Sequence, residues 1–390
     1  MKLRETTVSD YRSAWMNPEL DEFRRTVRRF FEREVAPHRE RWESQQHVDR
    51  DVWAKAGKLG LLCASVPAEY GGGGGTFAHD AIIVEEQARV GDTAFGIVLA
   101  SVLGMPLFLA AANEEQRRRW IPAMAGGHSI LVFALTEPGA GSDAKAITTT
   151  ARRAGDHYVI NGAKTFISNG YNGNLAMVVA RTGPPGSGAK GLSIFMVERD
   201  RTDGYRVGRI LEKIGQKGQD TAELFFDDMK VPAENLLGDV EGQGFSQLMQ
   251  GFRVERTTLG LIAVAHCERA VALTLEYVKN RRAFGKRLFD LQNTRFKLAE
   301  CWTKTRVARV FIDDCIQKVI DGTLDSATAS MAKWWCTDIQ GQVMDDCLQL
   351  HGGYGYMAEF PIARMYADAR AQRIYGGANE IQKEVIARAM

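Results

Sequence analysis

The spacing of apolar residues changes twice along this chain, and those two changes constrain the fold more than any single motif. From 18 to 125 apolar residues recur at three and four positions. In ELDEFRRTVRRFFEREVAPHRERW, for example, Phe23, Val27, Phe30 and Phe31 fall on one helical stripe. DVWAKAGKLGLL, HDAIIVEEQARVG and NEEQRRRWIPAMAGG repeat the pattern. Between them, PAEYGGGGG (67–75) reads as a flexible loop or as a backbone that approaches a ligand. From 129 to about 238 the pattern becomes short β-forming runs (SILVFALTE, HYVINGAKTFISN, NLAMVVART, GLSIFMVERD, AELFFDD) broken by turns such as TGPPGSGAKG and RTDGY. From 243 helices return and lengthen. The spacing predicts one of some 40 residues ending near Phe284, then 292–321, 326–351 and a last one from Asn379.

The expected fold class is therefore α+β and multidomain. It comprises an all-α domain over 1–128, an antiparallel β-barrel or sandwich over 129–240, and a C-terminal four-helix bundle over 241–390. Strands and helices do not alternate, which argues against a doubly wound nucleotide fold. Fifty basic residues nearly cancel 48 acidic ones, so the net charge of +2 gives no electrostatic reason for a nucleic-acid or membrane partner. The six cysteines are scattered with no CxxC pair and no metal-ligand spacing, so no metal is expected and buried reduced thiols are. The first residues lack an apolar leader and no membrane span is evident, so a cytoplasmic protein is expected.

Chemistry concentrates in two stretches. In the first, a strand ends at Thr136 and opens into TEPGAGSD (136–143), followed by YVINGAKTFISNG (158–170). On physics alone this is either a backbone cradle for a flat or anionic ligand or a glycine-rich strand connection. The second is QLHGGYGYM (349–357) with RIYGGANEIQKEVIAR (373–388).

Together with RRAFGKRLFDLQNTRFKLAE (281–300) and PAEYGGGG, these blocks resemble the acyl-CoA dehydrogenase family over essentially the whole chain and in the family's order. The resemblance implies FAD between the β domain and the C-terminal bundle. Phe133, Leu135 and Thr136 are expected at the isoalloxazine, with Gly141 and Ser142 close by; Ser142 is also expected near the substrate. Phe166 and Ser168 are expected to flank the flavin where many relatives carry tryptophan and threonine. It also implies a homo-oligomer, by family habit a tetramer, with shared FAD sites. Arg281, Phe284, Gln292, Gln349, Gly352 and Gly353 would come from the neighbouring chain, and Ala378, Asn379 and Glu380 would open the last helix at the nucleotide. His351 is expected to pack rather than to catalyse.

Many family members carry the catalytic carboxylate at the position of Gly376, and glycine cannot serve. The second family solution places a glutamate on the first long C-terminal helix, here in GFRVERTTLG (251–260). Phe252, Glu255, Arg256 and Leu259 share one helical face. Glu255 is thus the expected base, Gly376 keeps a main-chain N–H for the thioester carbonyl, and the flavin ribityl hydroxyl is the implied second donor. Phe252, Arg256, Tyr375, Gly376 and Gly377 are expected at the substrate. The implied reaction is α,β-desaturation of an acyl-CoA, long or branched, with electrons leaving to an electron-transfer flavoprotein. A flavin oxidase or monooxygenase on the same fold, or a non-catalytic acyl-CoA-binding flavoprotein, are the alternatives.

Overall fold

The computed structural model describes residues 11–184 and 186–390. The chain opens with helices α1 (Pro18–Phe30), α2 (Arg39–Gln45), α3 (Asp51–Lys58), α4 (Phe77–Val90), α5 (Gly104–Ala111) and α6 (Glu114–Ala125). Strands follow: β1 (Leu131–Ala134), β2 (Thr150–Ala154), β3 (His157–Ser168), β4 (Leu175–Arg181), β5 (Leu192–Glu198), β6 (Tyr205–Ile210) and β7 (Thr221–Pro232). Next come α7 (Gly244–Asn280), the short hairpin β8 (Arg282–Ala283) and β9 (Lys286–Arg287), and α8 (Gln292–Ile320). The chain closes with α9 (Ser326–His351), α10 (Pro361–Ala369) and α11 (Asn379–Ala389).

Contacts divide the chain into two compact units. One holds 32–80 and 93–255, the other 11–31, 81–92 and 256–390 of the described residues, and the division falls inside α7 between Glu255 and Arg256.

The first unit is built on one sheet of order β1-β4-β2-β3-β7-β6, with β5 along the other edge of β4. Most pairs are antiparallel, as the short turns require, but β1 runs parallel to β4 (Leu131↔Leu175 to Ala134↔Val178). The β2–β3 hairpin intervenes between those two strands, which gives the long connection that parallel pairing needs. Side chains of Tyr158, Ile160, Phe195, Leu224 and Met229 are closed off from solvent in the sheet's core. In the same unit the glycine run is not loose: the amides of Gly73, Gly74 and Gly75 donate to Cys63, Val66 and Ala64 carbonyls at 3.0, 2.8 and 3.0 Å. A Cβ on Gly72 would stand 2.4 Å from the Val66 oxygen, so close backbone packing rather than flexibility explains the glycines.

The second unit is helical. α7 ends at Asn280, short of the expected Phe284, because Phe284 (φ 52°) and Gly285 (φ 74°) form the two-residue turn of the β8–β9 hairpin. Among the described helices α7 alone is long and apolar enough to cross a membrane, and 67% of its most apolar window is buried. Cys267, Ile339, Val343, Cys347 and Ile362 form part of this unit's core, and all six thiols of the chain are buried and unbridged. Arg309 on α8 ties the 81–92 segment in: it grips Glu268 with two 2.8 Å bonds, reaches Glu85 at 2.7 Å, and lies 3.5 Å from Asp313. Arg24 joins Glu85 at 2.7 Å, and Arg28 bonds Glu86 at 2.9 and 3.0 Å.

Arg309→Met would leave three carboxylates close together with the central cation gone. It should cost about 3–5 kcal/mol of stability, read as a lower denaturant midpoint, whereas Lys318→Met, which loses only a partly exposed pair with Asp314, should leave that midpoint almost unchanged.

Candidate functional site

β1 delivers the first site segment. Its exit, 135–143, folds back through a tight turn in which the amides of Glu137 and Ala140 each bond the other's carbonyl, at 3.0 and 3.1 Å. Glu137 is buried, and its carboxylate accepts from the Thr148 amide and hydroxyl (2.7 Å each), the Thr149 amide (3.0 Å) and Lys164 Nζ (2.8 Å). Lys164 also donates to the Leu135 carbonyl at 3.0 Å, while the Thr165 amide bonds the Thr136 carbonyl at 2.9 Å. β3 thereby clasps the β1 exit from both sides. Beyond the clasp Pro138, Gly139, Gly141, Ser142 and Asp143 are exposed, and Phe133, Leu135 and Thr136 are half-buried.

Strict alternation along β3 would turn Lys164 and Phe166 to the same face. A register shift between Lys164 and Ile167 against β7, with Phe166 held at φ 59°, breaks it. Lys164 goes inward while the Phe166 ring stands 68% exposed. An aromatic held outward on left-handed backbone beside an open glycine turn is a platform for a flat ligand. Ser168 lies half-buried at the strand's end, paired with Thr221.

Burial alone would raise the Glu137 carboxyl. The Lys164 ammonium and the hydrogen bonds outweigh it and bring it down to about 2. Burial pushes Lys164 down to about 8, a fall that Glu137 limits. Both groups are therefore ionised at neutral pH. Folded Glu137 titrates below its unfolded value of 4.5, so its stabilisation is complete above that pH and is lost as pH falls toward 2.

The helical unit carries the second segment. A groove of about 610 Å³ opens between the end of α7 and the end of α9, lined by Tyr277, Arg281, Gln349, Gly352 and Gly353 among others. Four residues of the expected nucleotide set thus meet in one place. Arg281 lies over the Tyr354 ring at 5.3 Å, and nothing stands within 4 Å of where a Cβ on Gly352 or Gly353 would be. An arginine fork above open glycine backbone suits a pyrophosphate. His351 serves packing: it stacks on Tyr277 at 4.3 Å, its Nδ1 donates to the Cys347 carbonyl at 2.8 Å, and burial lowers its pKa. Phe284 and Gln292 do not line this groove. Phe284 stands 91% exposed at the hairpin tip, and Gln292 is exposed at the start of α8.

In the same unit Gly376 and Gly377 lie at φ 61° and 79°, the left-handed region that glycine favours. Tyr375 is 37% exposed. Ala378 caps α11 and Glu380 is exposed in its first turn. The Asn379 side chain turns inward, donating to Thr337 Oγ1 and Asp338 Oδ1 at 2.9 Å each. On α7 Leu259 and Arg256 are buried and Phe252 and Glu255 half-buried, so the face of 252, 255, 256 and 259 turns into the protein. Arg256 Nη1 donates to Ser330 Oγ at 3.2 Å.

Sequence reasoning assigned no role to Lys164, Glu137, Lys333 or Gln382. The available signal was a lysine within the β-forming run HYVINGAKTFIS and another between Ala332 and Trp334 in a helical segment.

The residues present fit FAD: the arginine-topped groove over open glycine backbone suits the pyrophosphate, and the outward Phe166 beside the β1 exit suits a flat ring. Comparison with known proteins agrees. Residues 17–128, 132–229 and 242–390 match the N-terminal, middle and C-terminal domains of acyl-CoA dehydrogenase. The chain is 47% identical over 371 residues to the long-chain specific acyl-CoA dehydrogenase, mitochondrial, of Mus musculus, covering 95% of this chain and 86% of that one. Among solved structures it resembles an acyl-CoA dehydrogenase from Geobacillus kaustophilus, with TM-score 0.94 and 43% identity, over 97% and 99% of the two chains. It also resembles an acyl-CoA dehydrogenase complexed with FAD from Bacillus anthracis, with TM-score 0.89 and 31% identity, over 97% and 69%.

Lys164→Met should cost about 3–5 kcal/mol in denaturant unfolding at pH 7, because Glu137 stays buried without its cation. The deficit should shrink as pH drops below 4.5: wild type then loses its advantage while the unpaired acid in the variant is neutralised.

Proposed function

We propose that this chain, which belongs to the acyl-CoA dehydrogenase family of FAD flavoproteins, desaturates a long-chain acyl-CoA to the trans-2-enoyl-CoA with Glu255 as base. The observation that carries this reading is position 376. Its residue has no side chain and sits at φ 61°, so a main-chain N–H is all it offers, while Glu255 lies half-buried on the inward face of a 37-residue helix.

The α-hydrogen of a thioester is weakly acidic, and removing it needs a positioned carboxylate together with a donor on the carbonyl oxygen. In our reading the Glu255 carboxylate takes the C2 proton as that C–H bond breaks, and the electron pair forms the C2=C3 bond. The Gly376 N–H donates to the thioester oxygen, where negative charge builds. The chemistry supplied by bound FAD is acceptance of the hydride released from C3. The two electrons then leave to an electron-transfer flavoprotein. The exposed ring of Phe166 offers the flavin an apolar face, and the clasped main chain at 135–136 offers it fixed polar groups.

Arg281, Gln349, Gly352 and Gly353 would hold the anionic, adenosine-bearing end. Phe284, held almost fully exposed on a two-residue turn, suits a role toward a second copy of the chain, as expected of a homo-oligomer with shared cofactor sites. A long-chain substrate is supported by the name of the mouse relative and by the absence of a side chain at 376.

Glu255→Gln keeps size and hydrogen bonding but cannot take a proton. Anaerobic flavin bleaching by palmitoyl-CoA should slow by about 10²–10⁴-fold, with FAD content and acyl-CoA binding retained. Bleaching at the wild-type rate would place the base elsewhere.

A further inference from the structure

The glycine pair is held by two fully buried side chains. Lys333 on α9 has no accessible surface, and its Nζ donates to the Gly377 carbonyl at 2.8 Å and to Asn379 Oδ1 at 2.7 Å. Gln382 on α11, equally enclosed, donates to the Gly376 and Gly377 carbonyls at 3.2 and 3.1 Å. The two ends of the turn meet on a single atom: Asp338 Oδ1 accepts from Arg373 Nε at 2.8 Å and from Asn379 Nδ2 at 2.9 Å. The other Asp338 oxygen is occupied by Trp334 Nε1 at 2.8 Å. A connection that includes exposed Ile374 and Tyr375 is thus fixed at its start, its middle and its end.

Holding glycine costs more backbone entropy than holding any other residue. Enclosing an ammonium costs several kcal/mol before its partners are counted. A neutral amide or hydroxyl could bond the same carbonyl at lower cost, so the lysine adds something beyond a staple. It brings rigidity and positive potential to the peptide planes that follow Gly376. The Gly376 N–H lies in the peptide plane before Gly376, which is joined to the clamped planes only through that residue's φ and ψ. Clamping the following carbonyls with φ at 61° therefore narrows the directions open to that N–H.

We propose that Lys333 is a positioning residue for the thioester: it sets the Gly376 amide as a hydrogen-bond donor to the substrate carbonyl and favours negative charge on that oxygen. The inference rests on the role given to Gly376 above. Lys333 acts through the main chain and does not touch the substrate, so its loss should weaken carbonyl polarisation while leaving the base and the cofactor in place.

The test uses FAD-loaded protein with trans-2-hexadecenoyl-CoA carrying carbon-13 at the thioester carbonyl, read by difference infrared spectroscopy. A hydrogen bond to that carbonyl lowers its stretching frequency. Wild type should lower it relative to buffer, and Lys333→Gln should lower it less. In the same variant flavin reduction by palmitoyl-CoA should slow about 10-fold or more, with a smaller change in KM and unchanged FAD content. A folded, FAD-loaded Lys333→Gln protein with the wild-type frequency would overturn the proposal, even with a lower melting temperature. If that variant does not fold, a second substitution at the same position, Lys333→Met, decides. It removes the ammonium without adding a polar head of its own and leaves Gln382 on the Gly377 carbonyl. A reduced shift there supports the proposal and a wild-type shift overturns it. Failure of the functional reading itself would look different, because wild type would then not bleach with any acyl-CoA.

Discussion

A backbone carbonyl gripped by a buried lysine ammonium is the contact on which this protein's site segments depend. Among the described residues it occurs once in each compact unit. Lys164 holds the Leu135 carbonyl in the β unit, and Lys333 holds the Gly377 carbonyl in the helical unit. Both targets lie in glycine-containing connections, 135–143 and 373–379. Such connections have little side-chain packing to order them, and glycine is the residue that loses most entropy on ordering. A deep, charged anchor supplies the missing constraint. Its cost is offset where the ammonium finds a carboxylate, as Lys164 does in Glu137, or a further acceptor, as Lys333 does in Asn379 Oδ1.

The same constraint bears on where the catalytic acid can reside. At φ 61° an L side chain at 376 would strain this backbone by about 1–2 kcal/mol, so the turn as built favours glycine. A carboxylate on α7 instead inherits the rigidity of a 37-residue helix, on a face whose neighbours Arg256 and Leu259 are buried. In the mechanism proposed above, separating the acid from the carbonyl donor lets each be held by the element best suited to it. The helix orients a side chain, and the clamped turn orients an amide.

Much of this was legible in the chain. Helical and strand zones showed because one face of each element must be apolar, and the bounds of α9 and the start of α11 followed from the residues alone. The end of α7 did not, because Phe284 enters left-handed backbone that phenylalanine rarely adopts, and nothing local announces it. The glycine run at 71–75 read as flexible because its partners, the Cys63–Val66 carbonyls, become apparent only once the chain has turned back. The parallel β1–β4 pair depends on how a hairpin is inserted between the two strands, which no local pattern encodes. Both lysines were visible as residues but not as anchors. Their partners lie 27 and 44 positions away, and burial of a cation is decided by such distant groups.

One measurement bears most directly on the central claim that a helix-borne acid and a glycine amide share the thioester: a crystal structure of the FAD-loaded protein with a non-oxidisable 3-thia-acyl-CoA. We expect a Glu255 carboxylate oxygen within about 3.2 Å of C2 and the Gly376 nitrogen within about 3 Å of the thioester oxygen. A different acid beside C2, or a thioester oxygen with no contact to the glycine pair, would contradict the account.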